Sequence, residues 1–229
     1  MAALIISVAS VQAQKSQVIA HRGYWKTAGS AQNSITSLQK ADSIHCYGSE
    51  FDVWLAKDNK LVVNHDPAYK MKYMEYSKGD ALTGLKLSNG ENLPSLQKYL
   101  EAGKKCNTKL ILELKAHNSK KRETKAVQEI LAMVKKMGLE DRMEYITFSL
   151  HAMKEFIRLA PAGTPVFYLN GELSPKELKD LGAAGLDYHM GVIKKHPEWI
   201  KEAHDLGLKV NVWTVDKAED MKWLIDQKV

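Results

Sequence analysis

Several common signatures are missing from this chain. Only two of its 229 residues are cysteine, Cys46 and Cys106, with no CxxC pair and no histidine at zinc-finger spacing. That excludes a thiolate metal centre and leaves two partly buried thiols whose pairing a sequence cannot decide. No later stretch approaches the ~18 apolar residues of a membrane-spanning helix. No GxGxxG follows the first strand-like run and no GxxxxGK[ST] occurs anywhere, which removes the nucleotide-binding reasons for an open α/β sheet. Charge of one sign is not gathered into a block either: the net +6 comes from lysines scattered along helical patterns. With no basic stripe and interleaved aromatics, a nucleic-acid partner is not expected. The excess charge modestly favours the approach of an anionic substrate.

What is present is enough for one well-packed domain. A chain of this length with 45% hydrophobic and 26% charged residues can bury a substantial core and shows no bias toward disorder. Residues 1–14 (MAALIISVASVQAQ) are small and apolar and end in Ser10-Val11-Gln12-Ala13, the small residues of a signal-peptidase site. They read as a signal-peptide remnant without its basic n-region, which implies export to a periplasm or cell surface. The competing reading is a short apolar helix under a barrel floor. Residues 15–229 form the single domain.

Strand-like and helix-like segments alternate along that domain. After Val18 to Ala20, a helical pattern runs from Asn33 to His45, with Asn33 or Ser34 as N-cap. Glu50 to Leu55, a turn at Lys57-Asp58-Asn59, and Leu61 to Asn64 read as a hairpin. Residues 67–92 are polar and irregular, too long for an ordinary connection, and read as a functional insertion before a helix opened by Pro94.

The remainder alternates regularly. Strands are expected at 110–114, 145–148, 165–169, 186–188 and 209–215, and helices at 122–136, 151–159, 175–181, 197–206 and 218–225. Asp216 and Glu219 resemble a capping box on the last helix. Such a series means a parallel sheet covered by helices, and polar residues ending several strands favour a (β/α)8 TIM-type barrel over an open sheet. Seven parallel strands and the hairpin strand can be counted, and the sequence stops at Val229 where a last strand should begin.

Those strand-end residues are His21-Arg22-Gly23, Glu50-Phe51-Asp52, His65-Asp66 and Glu113-Leu114-Lys115. Side chains alternate along a strand, so Glu50 and Asp52 share the face opposite Phe51 and Val53, and Glu113 shares a face with Ile111 and Lys115. Carboxylates crowded into a low-dielectric space need a shared proton or a cation. Three of them make a hard oxygen site suited to Mg²⁺ or Ca²⁺. Any one acid alone reads better as a partner for a lysine; the trio reads as metal ligands. His21 and His65 can both reach that mouth and exchange protons near neutrality. Arg22 and Lys115 are candidate clamps for phosphate oxygens. His45, His117, His151, His189, His196 and His204 read as structural.

In order, VIAHRG, QNS, GSEFDV, VVNHD, LILELK and VNVWTVD resemble the glycerophosphodiester phosphodiesterase family of phospholipase-C-like (β/α)8 barrels, over about residues 18–226. The resemblance implies that His21 and His65 are general acid and base and that Glu50, Asp52 and Glu113 hold one divalent cation. It implies that Arg22 and Lys115 contact phosphate, that Trp213 lines the alcohol pocket, and that 67–92 is the inserted subdomain over the mouth. The expected substrate is a small glycerophosphodiester, cleaved to glycerol 3-phosphate and an alcohol. An intact phospholipid or phosphosphingolipid, met by Tyr69, Tyr73, Tyr76, Lys70 and Lys72 as a membrane-touching lid, and a non-catalytic phosphodiester-binding barrel are the alternatives. The chain departs from the family pattern at Ala31-Gln32-Asn33-Ser34, where an amide replaces a carboxylate, and in lacking the final Thr-Asp-x-Pro strand.

Overall fold

The computed structural model describes residues 16–229; the signal-peptide reading of 1–14 lies outside the described residues. Seven parallel strands form one sheet in the order β1 (Ile19–Ala20), β2 (Gly48–Leu55), β6 (Lys109–Leu114), β7 (Met143–Thr147), β8 (Val166–Tyr168), β9 (Gly185–His189) and β10 (Lys209–Trp213). The sheet curls on itself in the TIM-type arrangement. Phe148, just past β7, packs edge-on against Trp213 at the end of β10 with ring centroids 5.6 Å apart, although β8 and β9 lie between those strands. Ser16 donates to the Val229 carbonyl at 2.6 Å, which brings the two ends of the described chain together. Among the described residues no strand pairs with the outer edges of β10 and β1.

Alternation sorts the side chains of each strand into two layers. Phe51, Val53, Leu110, Leu112, Leu114, Tyr145, Val166, Leu186 and Tyr188 face the helices and form the main core. The opposite faces supply a small lumen core of Ile111, Ile146, Phe167 and Leu169. Gly48 belongs to this inner layer: a Cβ there would stand 2.4 Å from Ile111 Cδ1, so the glycine lets Ile111 fill the space between β2 and β6.

The helices follow their caps and apolar stripes. In α1 (Ile35–Ser43), Ser34 accepts from the Ser37 N–H while Leu38 and Ala41 are buried. In α4 (Lys120–Met137), Ser119 caps the start, Gly138 closes the end at φ 64°, and Ala126, Val127, Ile130 and Val134 face the sheet. The outer layer is completed by α3 (Leu96–Gly103), α5 (Leu150–Leu159), α6 (Pro175–Asp180), α7 (Met190–Lys195), α8 (Glu198–Asp205) and α9 (Ala218–Asp226).

Three expectations need correction. Pro94 does not begin a helix; Ser95 is the N-cap of α3, accepting from the Lys98 N–H. Asp216 and Glu219 form no capping box, because Lys217 is the N-cap of α9 and Asp216 pairs with Lys26 at 3.3 Å. A capping box is present at α6, between Ser174 and Glu177. The segment 67–92 is folded rather than irregular. It holds a two-strand hairpin, β4 (Ala68–Tyr69) with β5 (Lys72–Tyr73), and α2 (Gly79–Thr83).

That segment has its own core and a firm attachment. Met74, Leu82, Leu87 and Leu93 pack on Trp54 and Val62 from the top of the hairpin formed by β2 and β3 (Leu61–Val63). Arg122 ties it to α4, donating to the carbonyls of Leu55 at 2.6 Å and Ala56 at 2.9 Å while its Nε reaches Glu75 at 3.3 Å.

The turn after β1 depends on Gly23, held at φ 75° with a position where a Cβ would lie 2.4 Å from Ser37 Oγ. Gly23→Ala combines backbone strain with that clash. It is expected to cost about 1–3 kcal/mol or more in urea unfolding, and a variant of unchanged midpoint would contradict the packing described.

Candidate active site

Strand pairing explains why the polar residues meet. β6 takes one edge of β2 along Gly48 to Val53, and the other edge is divided between β1, opposite Gly48 and Ser49, and β3, opposite Val53 to Leu55. Because β3 runs antiparallel, it descends toward the end of β1, and the Asn64 N–H donates to the Asp52 carbonyl at 3.0 Å. His65 therefore comes down to the mouth where His21 comes up. The His65 charge is felt at His21, and His21 Nε2 stands 4.0 Å from Glu50 Oε2.

Glu50 and Asp52 on β2 and Glu113 on β6 are all buried, and one oxygen from each lies within 4.8 Å of the others. Asp52 is the best satisfied. Asn33 Nδ2 donates to its Oδ2 at 2.8 Å and the Asp52 N–H returns to Asn33 Oδ1 at 3.1 Å, an exchange made from a left-handed Asn33 at φ 58°. Glu50 Oε2 accepts the Arg22 backbone N–H at 2.7 Å, but Glu50 Oε1 has no hydrogen-bond partner. Glu113 Oε1 is 2.7 Å from Lys115 Nζ in an ion pair off hydrogen-bond alignment, and Lys115 Nζ also reaches Asp52 Oδ1 at 3.2 Å.

The electrostatics follow from this crowding. Burial, then the charges of Asp52 and Glu113, holds the Glu50 carboxyl well above the usual range. Burial and the Asp52 charge push Glu113 up to about 7. Burial alone would lower Lys115, but Asp52 and Glu113 outweigh it and its ammonium is held above its ordinary value. His21 is pushed down to about 4 by burial and then by the Arg22 cation, so at neutral pH it is an uncharged imidazole. Deeper in the lumen, burial and the charges of Glu113 and Glu144 raise Asp187 to about 7.

A divalent cation fits this donor set. Three oxygen donors of matching hardness converge, and Glu50 Oε1 and Glu113 Oε1 are buried without hydrogen-bond partners.

The remaining candidates divide. Arg22 lies along the acids, its NH1 donating to Gln32 Oε1 at 2.5 Å and its Nε 4.0 Å from Asp52 Oδ2. Trp213 stands on the other arc of the lumen, its indole N–H donating to the Asp187 carbonyl at 2.9 Å. His117 is structural as expected, with Nε2 accepting from the Leu55 N–H at 2.9 Å and Nδ1 against the Lys115 carbonyl at 2.7 Å. Two contributors were not singled out as site residues. Asn33 fixes Asp52, and Asp66 holds His65 Nδ1 at 2.7 Å, so that contact engages Nδ1 rather than Nε2. The only sequence signal for Asp66 is that an acid directly follows a strand-end histidine.

Ion-free, the raised Glu113 carboxyl adds to native stability below the ordinary carboxylate range and withdraws it as pH rises through about 7. A cation needs the carboxylate form, so its binding strengthens over that same rise. The increase in melting temperature caused by added Mg²⁺ or Ca²⁺ should be larger at about pH 8 than at about pH 5.5. It should be smaller at both in Asn33→Ala, which frees Asp52 and should weaken metal affinity by about 10–100-fold. A pH-independent shift would contradict the coupling.

Comparison with known proteins places the chain in a family. The family model for the glycerophosphoryl diester phosphodiesterase family matches residues 21–229. A crystal structure of a glycerophosphodiester phosphodiesterase from Parabacteroides distasonis is 53% identical with a TM-score of 0.91, over 93% of this chain and 90% of that one. The glycerophosphodiester phosphodiesterase of Caldanaerobacter subterraneus is 26% identical over 92% of this chain and 90% of its own length. An Oleispira antarctica phosphodiesterase, solved in complex with the product sn-glycerol-3-phosphate, shares the fold at a TM-score of 0.78 and 23% identity, over 93% of this chain and 90% of its own. The chain belongs to the glycerophosphoryl diester phosphodiesterase family.

Proposed function

We propose that the protein hydrolyses glycerophosphodiesters to glycerol 3-phosphate and an alcohol, with a divalent cation held by Glu50, Asp52 and Glu113 and with His21 and His65 as the proton-transfer pair. The observation that carries the reading is the convergence of three buried carboxylates, an uncharged His21 and a carboxylate-oriented His65 at one barrel mouth. Mg²⁺ or Ca²⁺ is the cation proposed, and when bound it supplies positive charge beside the phosphate oxygens.

Arg22 and Lys115 bind the other phosphate oxygens, so that negative charge growing in the transition state meets fixed cations. Lys115 is already drawn toward the mouth by Asp52 and Glu113. His21 takes the proton of the attacking oxygen. His65, its Nδ1 held by Asp66, delivers a proton from Nε2 to the departing alcohol as the phosphorus–oxygen bond breaks. The attacking oxygen is that of water or of the neighbouring glycerol hydroxyl; phosphorus-31 spectra distinguish them, since only the hydroxyl route passes through a cyclic phosphate. We also propose export, from the composition of residues 1–14. Recovery of the full-length chain from the cytoplasm alone would count against it.

Release of glycerol 3-phosphate from glycerophosphocholine and glycerophosphoethanolamine should require Mg²⁺ or Ca²⁺, be abolished by EDTA, and fall by about 10²–10⁴-fold in His21→Ala. Undiminished turnover in folded His21→Ala would remove His21 from the reaction.

A further inference from the structure

The segment 67–92 is packed on one side and bare on the other. Its core rests on Trp54 and Val62, but the hairpin of β4 and β5 carries side chains that this core does not cover. Tyr69 faces Lys72 across the hairpin, so Lys70 and Met71 alone make the turn. Both are left-handed, at φ 45° and 62°, a geometry that two-residue turns usually assign to Asn-Gly. A methionine gains nothing from that conformation, and here its side chain is 98% exposed. Tyr73 and Tyr76 follow at 59% and 65% exposure, their rings edge to face at 6.5 Å and 71°. Three large apolar side chains thus face water between residues 71 and 76.

The charges of the same segment are unbalanced in one direction. Each of its three acids is matched inside the protein. Glu75 pairs with Arg122, Asp80 pairs with Lys60, and Glu91 accepts the Ile35 and Thr36 N–H groups at the start of α1. Its four lysines, Lys70, Lys72, Lys78 and Lys86, are exposed, and among the described residues none of them forms an ion pair. The Lys70 ammonium donates to the Lys86 carbonyl at 2.6 Å, which holds its position and leaves its charge uncompensated. The surface charge left over is positive.

A bare methionine, two tyrosines and four unmatched lysines suit one kind of surface. An apolar tip enters hydrocarbon, tyrosine rings rest at the level of the head groups, and lysines are drawn by a negative surface potential. At 98% exposure Met71 stands on a convex tip and not in a groove, so a peptide has nothing to enter there.

We propose that the hairpin 68–73, together with Tyr76, docks the protein on an anionic lipid bilayer. Met71 enters the apolar layer, and Lys70, Lys72, Lys78 and Lys86 meet the lipid phosphates. The hairpin follows His65 closely in the chain, so docking sets the mouth beside the bilayer. Docking is separable from the diesterase reading, because it is measured as binding and not as turnover.

The test is co-sedimentation with vesicles of phosphatidylcholine containing one-third phosphatidylglycerol, against vesicles of phosphatidylcholine alone. At low salt the wild type should bind the anionic vesicles about tenfold more tightly or better, and lose that margin at about 0.5 M salt. Met71→Asn puts a residue suited to left-handed backbone in the turn, so its melting temperature should equal or exceed that of the wild type. Its binding to anionic vesicles should nevertheless fall by about tenfold. Lys72→Gln combined with Lys78→Gln should weaken binding by about 10–30-fold. The same exchanges at Lys135 and Lys136, where α4 turns back toward the start of β7 and away from the mouth, remove equal charge and should leave binding unchanged. Equal binding to both vesicles, wild-type binding by Met71→Asn, or an equal loss in the Lys135 and Lys136 pair would overturn the proposal. So would the absence of vesicle binding, and retention on immobilised polyglutamate would then identify an acidic polypeptide as the partner.

Discussion

Three carboxylates buried within 4.8 Å of one another are the constraint on which the rest of the mouth depends. Like charges at that spacing in a low-dielectric lumen repel strongly, and no fold driven by apolar burial alone would place them there. The surroundings offset the repulsion piece by piece. Asn33 fixes Asp52, the Arg22 backbone N–H serves Glu50, and Lys115 lies between Asp52 and Glu113. The offset is incomplete, as the raised carboxyls of Glu50 and Glu113 and the unpartnered Glu50 Oε1 show. A site left electrostatically short of positive charge is suited to a cation and then to an anionic diester, which is the proposed function.

The long strand β2 makes this arrangement possible. One of its faces reads Gly48, Glu50, Asp52, Trp54 from floor to top: room for Ile111, two buried carboxylates, and an anchor for the core of residues 67–92. Its other face, through Phe51, Val53 and Leu55, is sealed into the helix layer. Its free edge serves β1 and β3 in turn, which is why the histidines of two segments more than forty residues apart converge. Backbone conformation adds a further element. Arg22 and Asn33 both adopt left-handed geometry, at φ 59° and 58°, to turn toward the acids.

Much of this was legible in the sequence because strands encode direction with a period of two. The leucines of 110, 112 and 114 announce that Glu113 and Lys115 look the other way, and the polar turn at Asp58-Asn59 announces a hairpin that returns His65 to the mouth. Local chemistry without that periodicity was harder to read. α7 is only six residues long, carries Gly191 in its first turn, and relies on a histidine cap and the packing of Met190 and Ile193. The fold of 67–92 rests on Met74, Leu82 and Leu87 meeting Trp54, an apolar set dispersed among polar residues that shows no face until the chain closes. Asp216 matched a capping pattern, yet Lys26, 190 residues away, claims it. The meeting of Trp213 with Phe148 and His189 was illegible for the same reason: the three rings come from different strand ends and become neighbours only when the sheet curls.

The most direct test of the central claim is anomalous diffraction from a crystal of this protein soaked in Mn²⁺, which takes the hard-oxygen sites of Mg²⁺ and Ca²⁺. One strong peak within about 2.0–2.6 Å of oxygens from Glu50, Asp52 and Glu113 together is the predicted result. No peak there, with Lys115 still bridging Asp52 and Glu113 at saturating metal, would show that the three acids are neutralised by the lysine alone and would contradict the account.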